Sequence, residues 1–233
     1  MTTSLKYIVP DIDYPESDGL PMAESDAARD YLVYGVETLT IHFQTEPEVY
    51  TSGNLFIYYE QGNPKAVVAP DLFVVFGVEK KKRTSYKVWE ENYKVPDFVL
   101  EITSKSTVSE YQGTKKGLYA YLGVKEYFQY DPTADYLKPP LQGFRLVEGN
   151  YLPIPRIETE NGFAVMSEVL GLELRLENGE MRFYNPKKGE KLLTHQELEL
   201  ARQEAEQELL AEQEKNKKLA NRLRELGIDP NTI

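Results

Sequence analysis

The 233-residue chain contains no cysteine. This excludes disulfides, thiolate metal sites and cysteine nucleophiles, and the composition suits a reducing cytoplasm. Histidine is nearly as scarce. His42 and His195 are the two, far apart in sequence, so a His-rich zinc site is not expected. No run approaches the roughly 18 consecutive apolar residues of a membrane helix. The opening MTTSLKYIVPDIDYPES has no apolar segment after a basic start, so it does not read as a signal peptide. Neither a membrane nor an oxidising compartment is expected. What is present, 41% hydrophobic and 28% charged residues, is the balance of a soluble globular protein.

The net charge of −11 works against nucleic-acid binding, which uses a basic footprint. The excess is uneven. Residues 1–50 hold ten acids and two bases, and residues 194–233 nine acids and six bases. Residues 51–193 balance nineteen against nineteen. The local field of that middle segment matters more than the total.

Residues 1–21 are rich in Pro and Asp and read as an extended arm. Ser25 or Asp26 can cap a helix to about Phe43, with Ala27, Tyr31, Tyr34 and Leu39 near helical spacing. Pro47 follows as a breaker. Strand-like runs come next: 54–59, then 66–76 after a Gly-Asn-Pro turn. The second is almost continuously apolar, the pattern of a strand covered on both faces. Lys80-Lys81-Lys82-Arg83 is a basic loop, 85–90 alternates, and 98–103 is another buried-type strand. A helix over 108–122, with Leu118, Tyr121 and Leu122 near one face, ends at Gly123 in the manner of a C-terminal glycine cap. Strand 126–130 stops at Asp131-Pro132. Residues 143–185 add short strands, with Asn178-Gly179 marking a hairpin. From Thr194 to Leu226 there is neither Gly nor Pro, and a long helix is predicted. A 4-3 stripe from Leu198 to Leu226 is apolar at both ends, which allows either a weak coiled-coil seam or a solvated helix. The predicted organisation is an arm at 1–21, a domain at 22–193 and a charged helical tail at 194–233.

Two acids sit inside apolar runs: Asp71 after Pro70, and Glu101 between Leu100 and Ile102. An ionised carboxylate there is costly unless something pairs with it. Two converging carboxylates suit Mg²⁺ or Mn²⁺. The plain alternative is two strand-end acids, solvated or paired with arginine. Asp97, four residues before Glu101 and so on the same strand face, is a rival first acid. Lys115 and Lys116 follow on the next helix, where a lysine can orient water or offset phosphate charge. The basic loop can contact a phosphate backbone or simply be solvated. Trp89 and the tyrosines can stack bases, although core and strand-face roles suit most of them better.

The stretches Val68-Ala-Pro-Asp-Leu-Phe-Val-Val75, Val95-Pro-Asp-Phe-Val-Leu-Glu-Ile-Thr-Ser-Lys-Ser-Thr107, Gly113-Thr-Lys-Lys-Gly-Leu-Tyr119 and Leu122-Gly-Val-Lys-Glu-Tyr-Phe-Gln-Tyr-Asp-Pro132 together resemble the Uma family of restriction-endonuclease-like proteins, of the PD-(D/E)XK superfamily. The similarity extends over most of 50–193. It implies an α/β fold: a restriction-endonuclease-like αβββαβ core with extra β-hairpins and a long C-terminal helix. It places Asp71 and Glu101 as catalytic metal ligands. Thr103 stands where the motif lysine is usual, and the resemblance moves that role to Lys115, with Lys116 the register alternative. Ala28 stands where many relatives have histidine and Tyr111 where many have an acid; the first-helix contribution then comes from Glu24 or is lost. The implied function is a Mg²⁺- or Mn²⁺-dependent endonuclease acting on DNA. The alternative is a catalytically inactive module of the same fold that works through its tail. A homodimer through the tail is compatible with both.

Overall fold

The computed structural model describes residues 12–16, 26–103, 110–226 and 229. Ser25, Glu24 and most of the predicted N-terminal arm lie outside them. The chain divides into two compact units, Met1–Leu192 and Leu193–Ile233.

In the first unit, helix α1 runs Asp26–His42, and Pro47 bars its continuation. Its buried positions include Ala28, Tyr34, Gly35, Thr38 and Leu39. Strand β1 (Val49–Ser52) follows directly. The predicted strand at 54–59 is reduced to β2 (Ile57–Tyr58), because Asn54 turns into positive φ and breaks the extended path. The predicted run 66–76 is also cut. Pro70 has no N–H for a ladder, so β3 (Val67–Val68) and β4 (Leu72–Phe76) join different sheets. β5 (Tyr86–Lys87) gives way to a 3-10 turn at Val88–Glu90. β6 (Phe98–Ile102) is buried along its whole length.

The helix expected from 108 begins outside the described residues. A π-helical turn, Glu110–Lys115, leads into α2 (Lys116–Leu122). Gly123 closes it in the left-handed conformation as predicted. α2 buries Tyr119, whereas Tyr121, read near one face with Leu118 and Leu122, is 81% exposed. Then come β7 (Glu126–Tyr130), β8 (Leu141–Val147), β9 (Asn150–Pro153), β10 (Arg156–Thr159), β11 (Gly162–Ser167), β12 (Leu172–Glu177), β13 (Glu180–Asn185) and β14 (Glu190–Lys191). Asn178 and Gly179, both at positive φ, form the β12–β13 hairpin that their sequence signals.

The central sheet has the order β1-β4-β6-β7-β8-β9. β1, β4 and β6 run antiparallel in turn, and β7 pairs parallel to β6. With α1 and α2 this is the αβββαβ core. Side chains alternate across the sheet. Leu72, Val74, Phe98, Leu100, Phe128 and Tyr130 share one cluster with Tyr34 and Leu39 of α1 and with residues of the five-stranded sheet β10–β14. Phe73, Val75, Val99 and Tyr127 share the other with Tyr119 of α2 and with Ile57, Val68 and Tyr86 of the three-stranded sheet β3-β2-β5. Leu72, Phe73, Val74 and Val75 are all fully covered, each contributing ~1.5–3 kcal/mol of apolar burial. This two-sided cover explains why β4 and β6 read as unbroken apolar runs.

The second unit contains α3 (His195–Glu225). Thr194 and Glu197 form a reciprocal capping box at its start. None of its residues is buried within the chain.

Candidate active site

Asp71 stands immediately before β4, where Pro70 ends one extended segment and the next begins. The register pairs Leu72 with Leu100, so one further rung sets Asp71 opposite Glu101. Alternation places both on the sheet face that α2 covers. The Asp71 carboxylate accepts a hydrogen bond from the Ile102 amide at 2.7 Å, tying the start of β4 to the end of β6.

Glu101 is fully buried. Its carboxylate accepts from Lys115 Nζ at 3.2 and 3.1 Å, and from the Tyr119 hydroxyl at 2.5 Å. Lys115 Nζ also reaches the Ala69 carbonyl at 3.3 Å. The lysine therefore bridges the segment before Asp71 to Glu101. Lys115 and Tyr119 are four residues apart, one helical turn, and so share a face. Burial, and then the charge of Asp71, push the Glu101 carboxyl well above its ordinary range, while Lys115 and Tyr119 pull it back. Burial and the neighbouring Glu101 push the Tyr119 phenol up in turn, so Tyr119 stays a neutral donor.

The other sequence candidates fall elsewhere. Asp97 is at the opposite end of β6, about 13 Å away at strand rise. It accepts from the Phe76 amide at 2.8 Å and pairs with Lys125 at 2.7 Å, a brace for the sheet end. Lys116 sits 3.3 Å from the centre of the Phe144 ring instead of against Glu101. Thr103 bonds the Tyr130 carbonyl through both its amide and its hydroxyl, closing the β6–β7 edge where a motif lysine is usual. Trp89 packs on Tyr14, and His42 packs edge-on to Phe43.

Two buried polar groups escaped the sequence reading, Tyr119 at the site and Glu126 at the opposite end of the sheet. Tyr119 resembles any core aromatic in a helix, and its spacing from Lys115 was the available signal. Glu126, also fully covered, accepts from Ser167, the Glu168 amide and Arg145. It locks β7 to β8 and to the end of β11. Its partners lie nineteen or more residues away, so no local pattern announces it.

A divalent cation fits the donor set. The part-buried Asp71 carboxylate and the fully buried Glu101 carboxylate stand opposite each other and repel, and hard oxygen donors of this kind suit Mg²⁺. No cluster of three or more His, Cys, Asp or Glu occurs among the described residues. Mg²⁺ commonly takes one or two protein carboxylates and completes its shell with water and phosphate, so two are sufficient.

An αβββαβ core with an acid before the second core strand, an acid on the third and a lysine from the following helix defines the restriction-endonuclease-like class. A family model described as "Uma2: Putative restriction endonuclease" matches residues 23–177, and the chain belongs to that family. Among solved structures, "a putative nuclease belonging to DUF820" from Anabaena variabilis is similar at 12% identity, with a TM-score of 0.44 over 64% of this chain and 76% of that one. No curated protein matches the chain. No helix among the described residues is long and apolar enough to cross a membrane.

Proposed function

We propose that this protein is an endonuclease that hydrolyses DNA phosphodiester bonds with Mg²⁺ or Mn²⁺, using Asp71, Glu101 and Lys115. The observation that carries this reading is the fully buried Glu101 carboxylate, opposed by Asp71 and held by Lys115 at 3.1 Å. Asp71 and Glu101 would hold the cation, which supplies Lewis-acid charge neutralisation at the phosphate when bound. The Asp71 oxygens are set by the Ile102 amide, and those of Glu101 by Tyr119 and Lys115. Lys115 would stand beside the reacting phosphate, where a lysine ammonium offsets developing negative charge and orients a water for attack. Titration calorimetry with Mn²⁺ on the wild type and on Asp71→Asn tests this reading. Binding and DNA cleavage lost together support it, and an Asp71→Asn protein that binds and cuts like the wild type would sink it.

A second reading, a catalytically inactive nuclease-fold module acting through its tail, rests on α3. That helix leaves Leu200, Leu209, Leu210 and Leu219 exposed, a surface a second copy could cover. Sedimentation of Leu209→Glu/Leu219→Glu beside the wild type tests the tail contact, since an unchanged oligomeric state would count against a tail-mediated dimer, and Mn²⁺ binding at Asp71 and Glu101 separates this reading from the first.

A further inference from the structure

A cavity of about 420 Å³ lies at the free edge of the central sheet, lined by Thr40, Tyr50, Thr51, Ser52 and Lys80–Arg83. Resting on the nuclease reading above, we propose that it is a second phosphate site. It would hold a backbone phosphodiester of the bound nucleic-acid strand a short distance from the scissile bond.

The basic loop is built, not loose. The Arg83 side chain is only 5% exposed. Its guanidinium stacks over Tyr50 at 4.2 Å, donates to Glu91 at 2.8 Å, and holds the carbonyls of Glu79 and Lys81 at 3.0 and 3.1 Å. Lys80 is pinned to the Phe43 carbonyl at 2.7 Å. Arg83 thus ties the loop to its own carbonyls and stacks it on Tyr50 of β1, while Lys80 ties it to the turn after α1. Lys81 shares Glu79 and Glu91 at 3.6 and 3.5 Å. Lys82, which is exposed, has no acidic partner among the described residues. Four consecutive cations against two neighbouring carboxylates leave this rim positive on a chain of net charge −11. Such a local cation cluster is what a polyanion needs when the rest of the protein repels it. The Thr40 and Ser52 hydroxyls line the same cavity and can donate to phosphate oxygens. β1 is an edge strand, so part of its backbone lies outside the ladder.

The cavity is also correctly placed. β1 is separated from the strand of Glu101 by β4 alone; Ser52 and Tyr50 pair with Phe73 and Val75, two and four residues along β4 from Asp71, so these cavity residues lie roughly 12–16 Å from Glu101 at ordinary strand spacing and rise. That is about four to five phosphate steps along a duplex axis at ~3.4 Å each. Next to Ser52, the Gly53 backbone lies so close to Asp71 that an added Cβ would stand 2.3 Å from the Asp71 carbonyl oxygen. The phosphate cavity and the carboxylate pair are thereby joined through rigid backbone.

The test measures binding of a labelled DNA duplex by fluorescence anisotropy. It uses the full-length protein in EDTA, from about 50 mM to about 200 mM salt, for wild type, Lys82→Ala and Ser52→Ala. Turnover of bis(p-nitrophenyl) phosphate with Mn²⁺ is followed in parallel. The proposal predicts several-fold weaker duplex binding by Lys82→Ala, a log–log salt slope smaller by about 0.9 for the lost contact, and unchanged turnover of the small phosphodiester. Ser52→Ala should weaken binding with the slope retained. Unchanged affinity and slope in Lys82→Ala would overturn it. So would absence of duplex binding by the wild type, or displacement of the duplex by poly-glutamate as readily as by unlabelled DNA. Aggregation of Lys82→Ala with normal binding by the soluble fraction would also overturn it, making the cations edge guards. Duplex binding that depends on Lys82, in a protein that turns over neither DNA nor the small substrate, supports the cavity and removes only the catalytic reading.

Discussion

Replacing Glu101 by glutamine removes one ionisable group from the interior and almost nothing else. The amide keeps the shape and leaves an acceptor for the Tyr119 hydroxyl. In the wild type, burial and the nearby Asp71 raise the Glu101 carboxyl well above its ordinary value of 4.5. The folded chain therefore retains a proton on Glu101 that the unfolded chain releases near that ordinary value. Stability from this difference is fully present below about 4.5 and is lost as pH rises through the folded value, with a slope of at most ~1.4 kcal/mol per pH unit for one proton. Below the window the wild type and Glu101→Gln are both neutral at this site and nearly equal in stability. Above it, the metal-free wild type falls behind. Urea unfolding in EDTA from about pH 5 to about pH 8, taken as wild type minus variant, cancels other titrating groups. Mn²⁺ should reverse the order, because a cation at a hundred times its dissociation constant stabilises the folded wild type by about 2.7 kcal/mol and finds one carboxylate fewer in the variant. A difference that stays flat with pH, or that favours the metal-free wild type more as pH rises, refutes the reasoning.

Tyr119→Phe removes the 2.5 Å donor to Glu101 in a fully buried place, so the carboxyl should titrate higher still. The acid limb of the cleavage pH profile should move to higher pH, with the plateau rate retained and stability lowered by ~1.5–3 kcal/mol; an unmoved limb would make Tyr119 mere packing. Gly53→Ala puts a Cβ 2.3 Å from the Asp71 carbonyl oxygen and 2.9 Å from Val36. Backbone cannot give as a side-chain tip can, so ~1–3 kcal/mol of stability and most activity should be lost together. Chemical denaturation and a cleavage assay check both.

Much of this arrangement was legible in the residues because it rests on local pattern. Leu72–Phe76 and Phe98–Ile102 are covered on both faces, and nearly continuous apolar character announces that. An acid inside such a run, as at Asp71 and Glu101, is conspicuous for its cost. Gly123 and Asn178-Gly179 mark their turns through backbone conformations that few other residues accept. β1 was missed because four residues, Val-Tyr-Thr-Ser, are too short to show a period. The break at Pro70 was read through because apolar residues on either side of it pack into different sheets. Tyr121 was grouped with Leu118 and Leu122 by counting an ideal helix, whereas the described helix opens with a π turn and buries Tyr119 instead. The choice of Lys115 over Lys116 depends on where Phe144 and Glu101 lie in space, which single-residue spacing does not carry.

Cleavage of mixed single- and double-stranded DNA by the full chain, with Mg²⁺ or Mn²⁺ and beside Glu101→Gln, tests the central claim most directly. The account predicts strand scission that requires the cation and disappears in the variant. Equal scission by both proteins, or none by the wild type together with no calorimetric Mn²⁺ binding, would contradict it.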